Sequence, residues 1–166
     1  WAARRWPSSW APPPPITCPA NQTAGTDPGE CGAVRSDATP STSDNCAVQS
    51  VTLVSGLPSG GFFPVGTTTN VWRATDPSSN SSTCSFTITI KDTEAPAVTC
   101  PPAITKPNDP NQCGRQIDYL GNALIQDNCV GLDFTNDSPG FFPIGTTTVT
   151  YTGTDNAGNS STCSMS

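Results

Sequence analysis

The sequence contains no histidine, a single methionine and only 12% charged residues. Without histidine it lacks the commonest general base and the commonest metal ligand. A search for a nucleophile beside a base finds none. The acidic residues are scattered through predicted turns, where such side chains hydrogen-bond local backbone, and they do not stand in catalytic pairs. The chain reads as a non-enzyme that requires no cofactor. No apolar run approaches the roughly 18 residues that suggest a membrane-spanning helix. Seven Lys and Arg against thirteen Asp and Glu leave a net charge of −6, which argues against nucleic acid as a partner. A hydrophobic share of 34% allows only small cores. The sequence opens on Trp1 with neither Met nor a signal peptide, as expected of a mature or fragmentary secreted chain.

What is present is cysteine, proline and glycine: 8, 18 and 14 residues in 166. Cysteine at this density, with no Cys-x-x-Cys pair, indicates disulfides in an oxidising extracellular compartment and argues against zinc. Cys18, Cys31, Cys46 and Cys84 recur as Cys100, Cys113, Cys129 and Cys163, so two four-cysteine units stand in tandem. Their surroundings recur as well. Thr17-Cys18-Pro19 returns as Thr99-Cys100-Pro101, Asp44-Asn45-Cys46 as Asp127-Asn128-Cys129, and Gly61–Thr69 as Gly140–Thr148 with only Val65 changed, to Ile144.

Within each unit the hydrophobic period is that of strands. Cys84–Ile90 and Thr146–Thr154 alternate apolar and polar residues, are rich in β-branched side chains and are bounded by turn formers. The expected fold is all-β: two tandem antiparallel sandwiches over residues 16–91 and 92–166, preceded by an extended arm at 1–15. Val149, Tyr151 and Gly153 should share one face, matched by Asn70, Trp72 and Ala74. Trp72 and Tyr151 are thus the expected central aromatics, and a buried Asn70 requires hydrogen-bonding partners.

These motifs, in order, resemble the hyalin repeat (HYR) domain. The resemblance rests on Asp92-Thr93-Glu94-Ala95-Pro96, Cys100-Pro101, Asp127-Asn128, Phe142-Pro143-Ile144-Gly145-Thr146-Thr147-Thr148-Val149 and Asp155-Asn156-Ala157-Gly158-Asn159, most with a counterpart in the first unit. It implies immunoglobulin-like sandwiches in an extracellular, often adhesive protein, and no catalysis. Two departures stand out. The first unit has Pro77-Ser78-Ser79-Asn80 where Gly-Asn is usual. The second stops at Cys163-Ser164-Met165-Ser166, where the first continues Cys84-Ser85-Phe86-Thr87-Ile88-Thr89-Ile90, so most of its last strand is missing. Either the chain is part of a longer array, or a neighbouring chain donates the strand.

In an immunoglobulin-like sandwich, the resemblance points to Cys46–Cys84 and Cys129–Cys163, leaving Cys18–Cys31 and Cys100–Cys113; four cysteines allow three connectivities per unit. Asp92, Glu94, Asp127 and Asp155 are candidate Ca²⁺ ligands, since hard oxygen donors suit that ion, set against a reading as turn formers and a solvated linker. Asn21, Asn80, Asn136 and Asn159 open N-glycan acceptor sequences, and Asn136 is the weakest because Pro139 follows. Pro12, Pro13, Pro14 and Pro15 form a polyproline II stretch that resembles hydroxyproline-rich glycoproteins, with a plain spacer as the alternative. Trp1, Arg4, Arg5, Trp6 and Trp10 are candidate interface anchors on a basic arm that precedes an acidic body.

The function these features suggest is a secreted or surface glycoprotein that self-associates head to tail into a fibre or matrix. The alternative is an adhesion or ligand-binding module of a larger cell-surface protein, contacting other proteins or glycans.

Overall fold

The computed structural model describes residues 12–45, 47–118 and 120–166. The anchor candidates Trp1, Arg4, Arg5, Trp6 and Trp10, together with Cys46, lie outside the described residues. The chain divides into two compact units, one holding the residues up to Asp27 with Cys31–Lys91, the other Pro28–Glu30 with Asp92–Ser166. The described residues contain strands and turns and no helix.

The first unit is built from β1 (Ile16–Thr17), β2 (Gln22–Gly25), β3 (Gly32–Arg35), β4 (Ser41–Thr42), β5 (Ser50–Ser55), β6 (Gly61–Pro64), β7 (Gly66–Thr75) and β8 (Ser81–Lys91). One sheet has the order β2-β8-β7-β5, and β1-β4 and β3-β6 form antiparallel pairs. The alternation on β8 decides its placement. Phe86, Ile88 and Ile90 all face inward at 2% exposure or less and meet Ala33 of β3 and Phe63 of β6. Each such side chain contributes about 1.5–3 kcal/mol by leaving water. One pairing departs from the antiparallel expectation: β2 runs parallel to β8, with Gln22 opposite Ile88 and Gly25 opposite Lys91.

The second unit comprises β9 (Ala97–Thr99), β10 (Gly114–Gln116), β11 (Leu124–Gln126), β12 (Leu132–Asn136), β13 (Phe141–Pro143), β14 (Val149–Asp155) and β15 (Ser160–Met165). Its sheets are β12-β14-β15, β9-β11 and β10-β13. On β14 every second residue, Val149, Tyr151, Gly153 and Asp155, is buried, so the expected face is the observed one. Tyr151 sits at the centre, stacked on Phe134 at 5.6 Å and within reach of Met165.

Trp72 is a correction. It lies at the margin of the first core, its indole N–H is enclosed without an acceptor, and Phe63 is the aromatic at the centre. The neighbour explains this. Asn70 is fully buried on the same strand, where its Oδ1 accepts from Leu57 N and its Nδ2 donates to Leu57 O, both at 2.9 Å. This part of the β7 face ties down a loop, where Val149 at the matching position packs against the second core.

Candidate functional site

The two units differ most where the last strand should close the sheet. In the first unit β7 and β8 pair from Thr75↔Ser81 through Asn70↔Phe86 to Gly66↔Ile90, and β2 covers the other edge of β8. In the second unit the β14–β15 ladder ends at Val149↔Met165. Gly145–Thr148, the counterparts of Gly66–Thr69, have no strand partner, and 104–107, the counterparts of β2, are not in a strand. Between them lies a cavity of about 570 Å³ lined by Ile104, Leu120, Phe142, Val149 and Met165. Lys106, Asn108, Arg115 and several Thr share the lining with these apolar side chains; among the described residues Gly145–Thr148 has no strand partner, while Pro107 O accepts from Arg115 Nη1. The slot lies where, by the repeat, Ile88 and Ile90 sit in the first unit, between the counterparts of β2, which pairs parallel to β8, and of Gly66–Thr69, which pair antiparallel to it. The strand expected over Thr146–Thr154 accordingly begins only at Val149, because extended backbone without a partner forms no ladder.

A second shared device closes the hairpin before the last strand. Asp76 Oδ1 accepts from Ser78 N and Asn80 N at 2.8 Å, and Asp76 Oδ2 from Asn80 Nδ2 at 2.8 Å. Asp155 does the same with Asn159. Burial alone would raise both carboxyl pKa values, but the hydrogen bonds from these Asn side chains and loop N–H groups outweigh it and hold both below the ordinary 3.8. Next along the chain, Ser82 Oγ donates to the carbonyl of buried Pro14, and Ser161 Oγ to that of buried Pro96. The proline run therefore ends inside the first unit and not as a free rod, with Pro12, Pro13 and Pro15 exposed and Pro14 enclosed.

The disulfides correct the expected pairing. Cys18 bonds Cys84 and Cys100 bonds Cys163, so neither Cys46–Cys84 and Cys129–Cys163 nor Cys18–Cys31 and Cys100–Cys113 forms. The reason lies in the β2–β8 ladder, whose offset of 66 residues is also the separation of Cys18 and Cys84. The opening segment, not the mid-domain loop, lies beside the last strand. Cys31 and Cys129 are disulfide-bonded as well, whereas Cys113 is free and exposed. The disulfides identify a chain of an oxidising, extracellular compartment.

The candidate calcium ligands separate. Asp155 is committed to its Asn159 hairpin, and Glu94 Oε2 accepts from Gly29 N. Asp92 and Asp127 come together with Cys129, their ligand atoms within 4.8 Å of one another. Next to Asp127 in sequence, Asn128 donates its Nδ2 to Glu30 O, and its Oδ1 is enclosed without a partner.

The acceptor asparagines also differ. Nδ2 of Asn80 is engaged by Asp76, and that of Asn159 by Asp155 and by Asp92 O. Asn21 is exposed and uses only Oδ1, accepting from Thr87 N, while Asn136 uses Oδ1 for Ser138 N.

Comparison with known proteins agrees with the repeat. The chain is 35% identical over 151 residues to hyalin of Strongylocentrotus purpuratus, covering 86% of this chain and 12% of that protein. It is 32% identical over 164 residues to the serine-rich adhesin for platelets of Staphylococcus aureus strain MSSA476, covering 84% of this chain and 7% of the adhesin. Among solved structures, protocadherin gamma B7 extracellular cadherin domains 1–4 align at 12% identity with a TM-score of 0.43, covering 92% of this chain and 49% of that one. The HYR domain model matches residues 11–90 and again 91–166. The chain belongs to the HYR domain family, in tandem.

Proposed function

We propose that this chain is an adhesion-type structural module of an extracellular matrix or fibre, and that its second unit joins a neighbouring chain by accepting a β-strand. The observation that carries the reading is the slot between 104–107 and Gly145–Thr148, floored by Ile104, Leu120, Phe142, Val149 and Met165. Burying apolar surface in it and pairing the open backbone of Gly145–Thr148 favours an extended segment with apolar residues at alternate positions. The first unit supplies the template, since Ile88-Thr89-Ile90-Lys91 occupies the equivalent place. A strand passed from one chain to the next gives a heterologous contact, which propagates into filaments. Hyalin and the staphylococcal adhesin, of which this chain spans a small share, support an adhesive setting.

Glycans belong to the same reading. Asn21 is the favoured acceptor, because its Nδ2 is free, whereas a glycan on Asn159 displaces one of two hydrogen bonds. Pro12, Pro13 and Pro15 are the exposed candidates for hydroxylation and short sugars.

The test is self-complementation. A variant carrying Ile-Thr-Ile-Lys after Ser166, copying Ile88–Lys91, fills the slot from its own chain. Sedimentation of the native-sequence protein should show concentration-dependent assemblies and that of the extended variant a monomer. Assemblies that persist unchanged in the extended variant, or a native-sequence protein that stays monomeric at all concentrations, contradict strand exchange.

A further inference from the structure

We propose that the strand accepted by the second unit carries an acidic residue at the place of Ile90, two positions after an apolar one; this names the partner's chemistry and rests on the strand-accepting reading. Between Asp92 and Ser166 the sequence has eight acidic residues and two basic ones, Lys106 and Arg115, and both basic residues line the slot. An acidic unit thus gathers all its cationic side chains at one opening.

The repeat shows what they replace. Cys18 to Cys31 and Cys100 to Cys113 are equally spaced, so Lys106 stands at the position of Ala24 and Arg115 at that of Ala33. Asp27 and Asp109 support this alignment, the first accepting from Val34 N and the second from the matching Gln116 N. In the first unit Ala24 lies opposite Ile90 on the parallel ladder, and both alanines pack in the core that holds Ile88 and Ile90. Two alanines that seat isoleucine in one unit are therefore two cations in the other.

The slot is divided accordingly. For the place of Ile88, Phe142, Val149 and Met165 stand at the positions of Phe63, Asn70 and Phe86 and give an apolar floor. At the end where Ile90 belongs, Arg115 Nη1 donates to Pro107 O, and the counterpart of Pro107, Gly25, lies opposite Lys91, the residue after Ile90. Asp109 Oδ1 is 3.7 Å from Arg115 Nη1, while Lys106 has no acidic partner among the described residues, so positive charge is left over there. An isoleucine seated beside these groups takes cations out of water without an anion to pair them, whereas a carboxylate pairs them.

The experiment is fluorescence anisotropy of three labelled peptides titrated with the full chain: Thr-Ile-Thr-Glu-Thr, Thr-Ile-Thr-Ile-Thr and Thr-Glu-Thr-Ile-Thr. The first should bind about five-fold or more tightly than the second and than the third, and its advantage over the second should fall below about two-fold in about 0.5 M NaCl. Replacing Lys106→Ala together with Arg115→Ala, which restores the residues of the first unit, should reverse the preference to isoleucine. Equal or tighter binding of the isoleucine peptide by the unaltered chain overturns the acidic preference and leaves strand acceptance standing, and binding of none of the three overturns both. A glutamate preference that survives salt or the double replacement overturns the assignment to Lys106 and Arg115. The salt series on the unaltered chain decides even if the variant fails to fold.

Discussion

Cys18 and Cys84 are joined across 66 residues, the same offset that pairs Gln22 with Ile88 in the parallel ladder of β2 and β8. The covalent bond and the hydrogen-bonded register therefore hold the same two segments. Closing a loop of that length restricts the unfolded chain by about 4 kcal/mol in the chain-entropy model. Cys84→Ala should lower the unfolding free energy by about 2–5 kcal/mol, measured by denaturant titration. Peptide mapping of unreduced protein should recover Cys18 linked to Cys84 and Cys100 linked to Cys163. Recovery of Cys18–Cys31 would refute this register.

Asn70 carries a second prediction. Its side chain satisfies both backbone groups of Leu57, and the matching residue of the second unit is Val149. Asn70→Val should nevertheless destabilise the first unit by about 2–4 kcal/mol, because it orphans a donor and an acceptor together. Equilibrium unfolding with no loss of stability would mean that the loop at Leu57 relaxes to water freely.

The hairpin before β8 contains Ser79 at φ 70°, where the second unit has Gly158 at φ 92°. A side chain in the left-handed region is strained by about 1 kcal/mol or more. Ser79→Gly should therefore raise the melting temperature of the first unit, and Gly158→Ser should lower that of the second. Equal and opposite shifts of a few degrees in calorimetry would agree, and a destabilising Ser79→Gly would not.

Asp76 and Asp155 make the protein acid-sensitive in a defined direction. Their folded pKa values lie below 3.8, so each contributes stability above that pH, lost as pH falls through the folded value. Asp76→Asn should melt lower than the parent protein at pH 7, and the gap should narrow as pH drops below 3.8. A gap constant from pH 7 to pH 2 would show that the hairpin does not depend on the charge.

Much of this was legible in the sequence, because repetition and a two-residue period are local signals. The tandem units, the inward face of Val149, Tyr151 and Gly153, and the need of a buried Asn70 for partners all follow from spacing and residue type. The cysteine pairing was not legible. It depends on β2 lying parallel to β8, a contact between segments more than sixty residues apart that no local pattern records. Trp72 was misplaced because aromatic size was weighed and the neighbouring Asn70–Leu57 bonds were not visible. Asn80 and Asn159 carry acceptor sequences, and only the fold reveals that their amides are occupied by Asp76 and Asp155. Of the four acids grouped as calcium ligands, Asp92 and Asp127 converge, while Glu94 and Asp155 are used by neighbouring loops.

The strand-accepting slot is tested most directly by hydrogen exchange on the full chain, with and without the peptide Thr-Ile-Thr-Ile-Lys, which copies Thr87–Lys91. Alone, the amides of Gly145–Thr148 should exchange rapidly, in contrast with those of Thr67–Thr69 in the first unit. With the peptide they should become protected together with those of Ile104–Lys106, while a sequence-scrambled peptide leaves them unchanged. Slow exchange of Gly145–Thr148 without peptide, or no protection on adding it, would contradict the account.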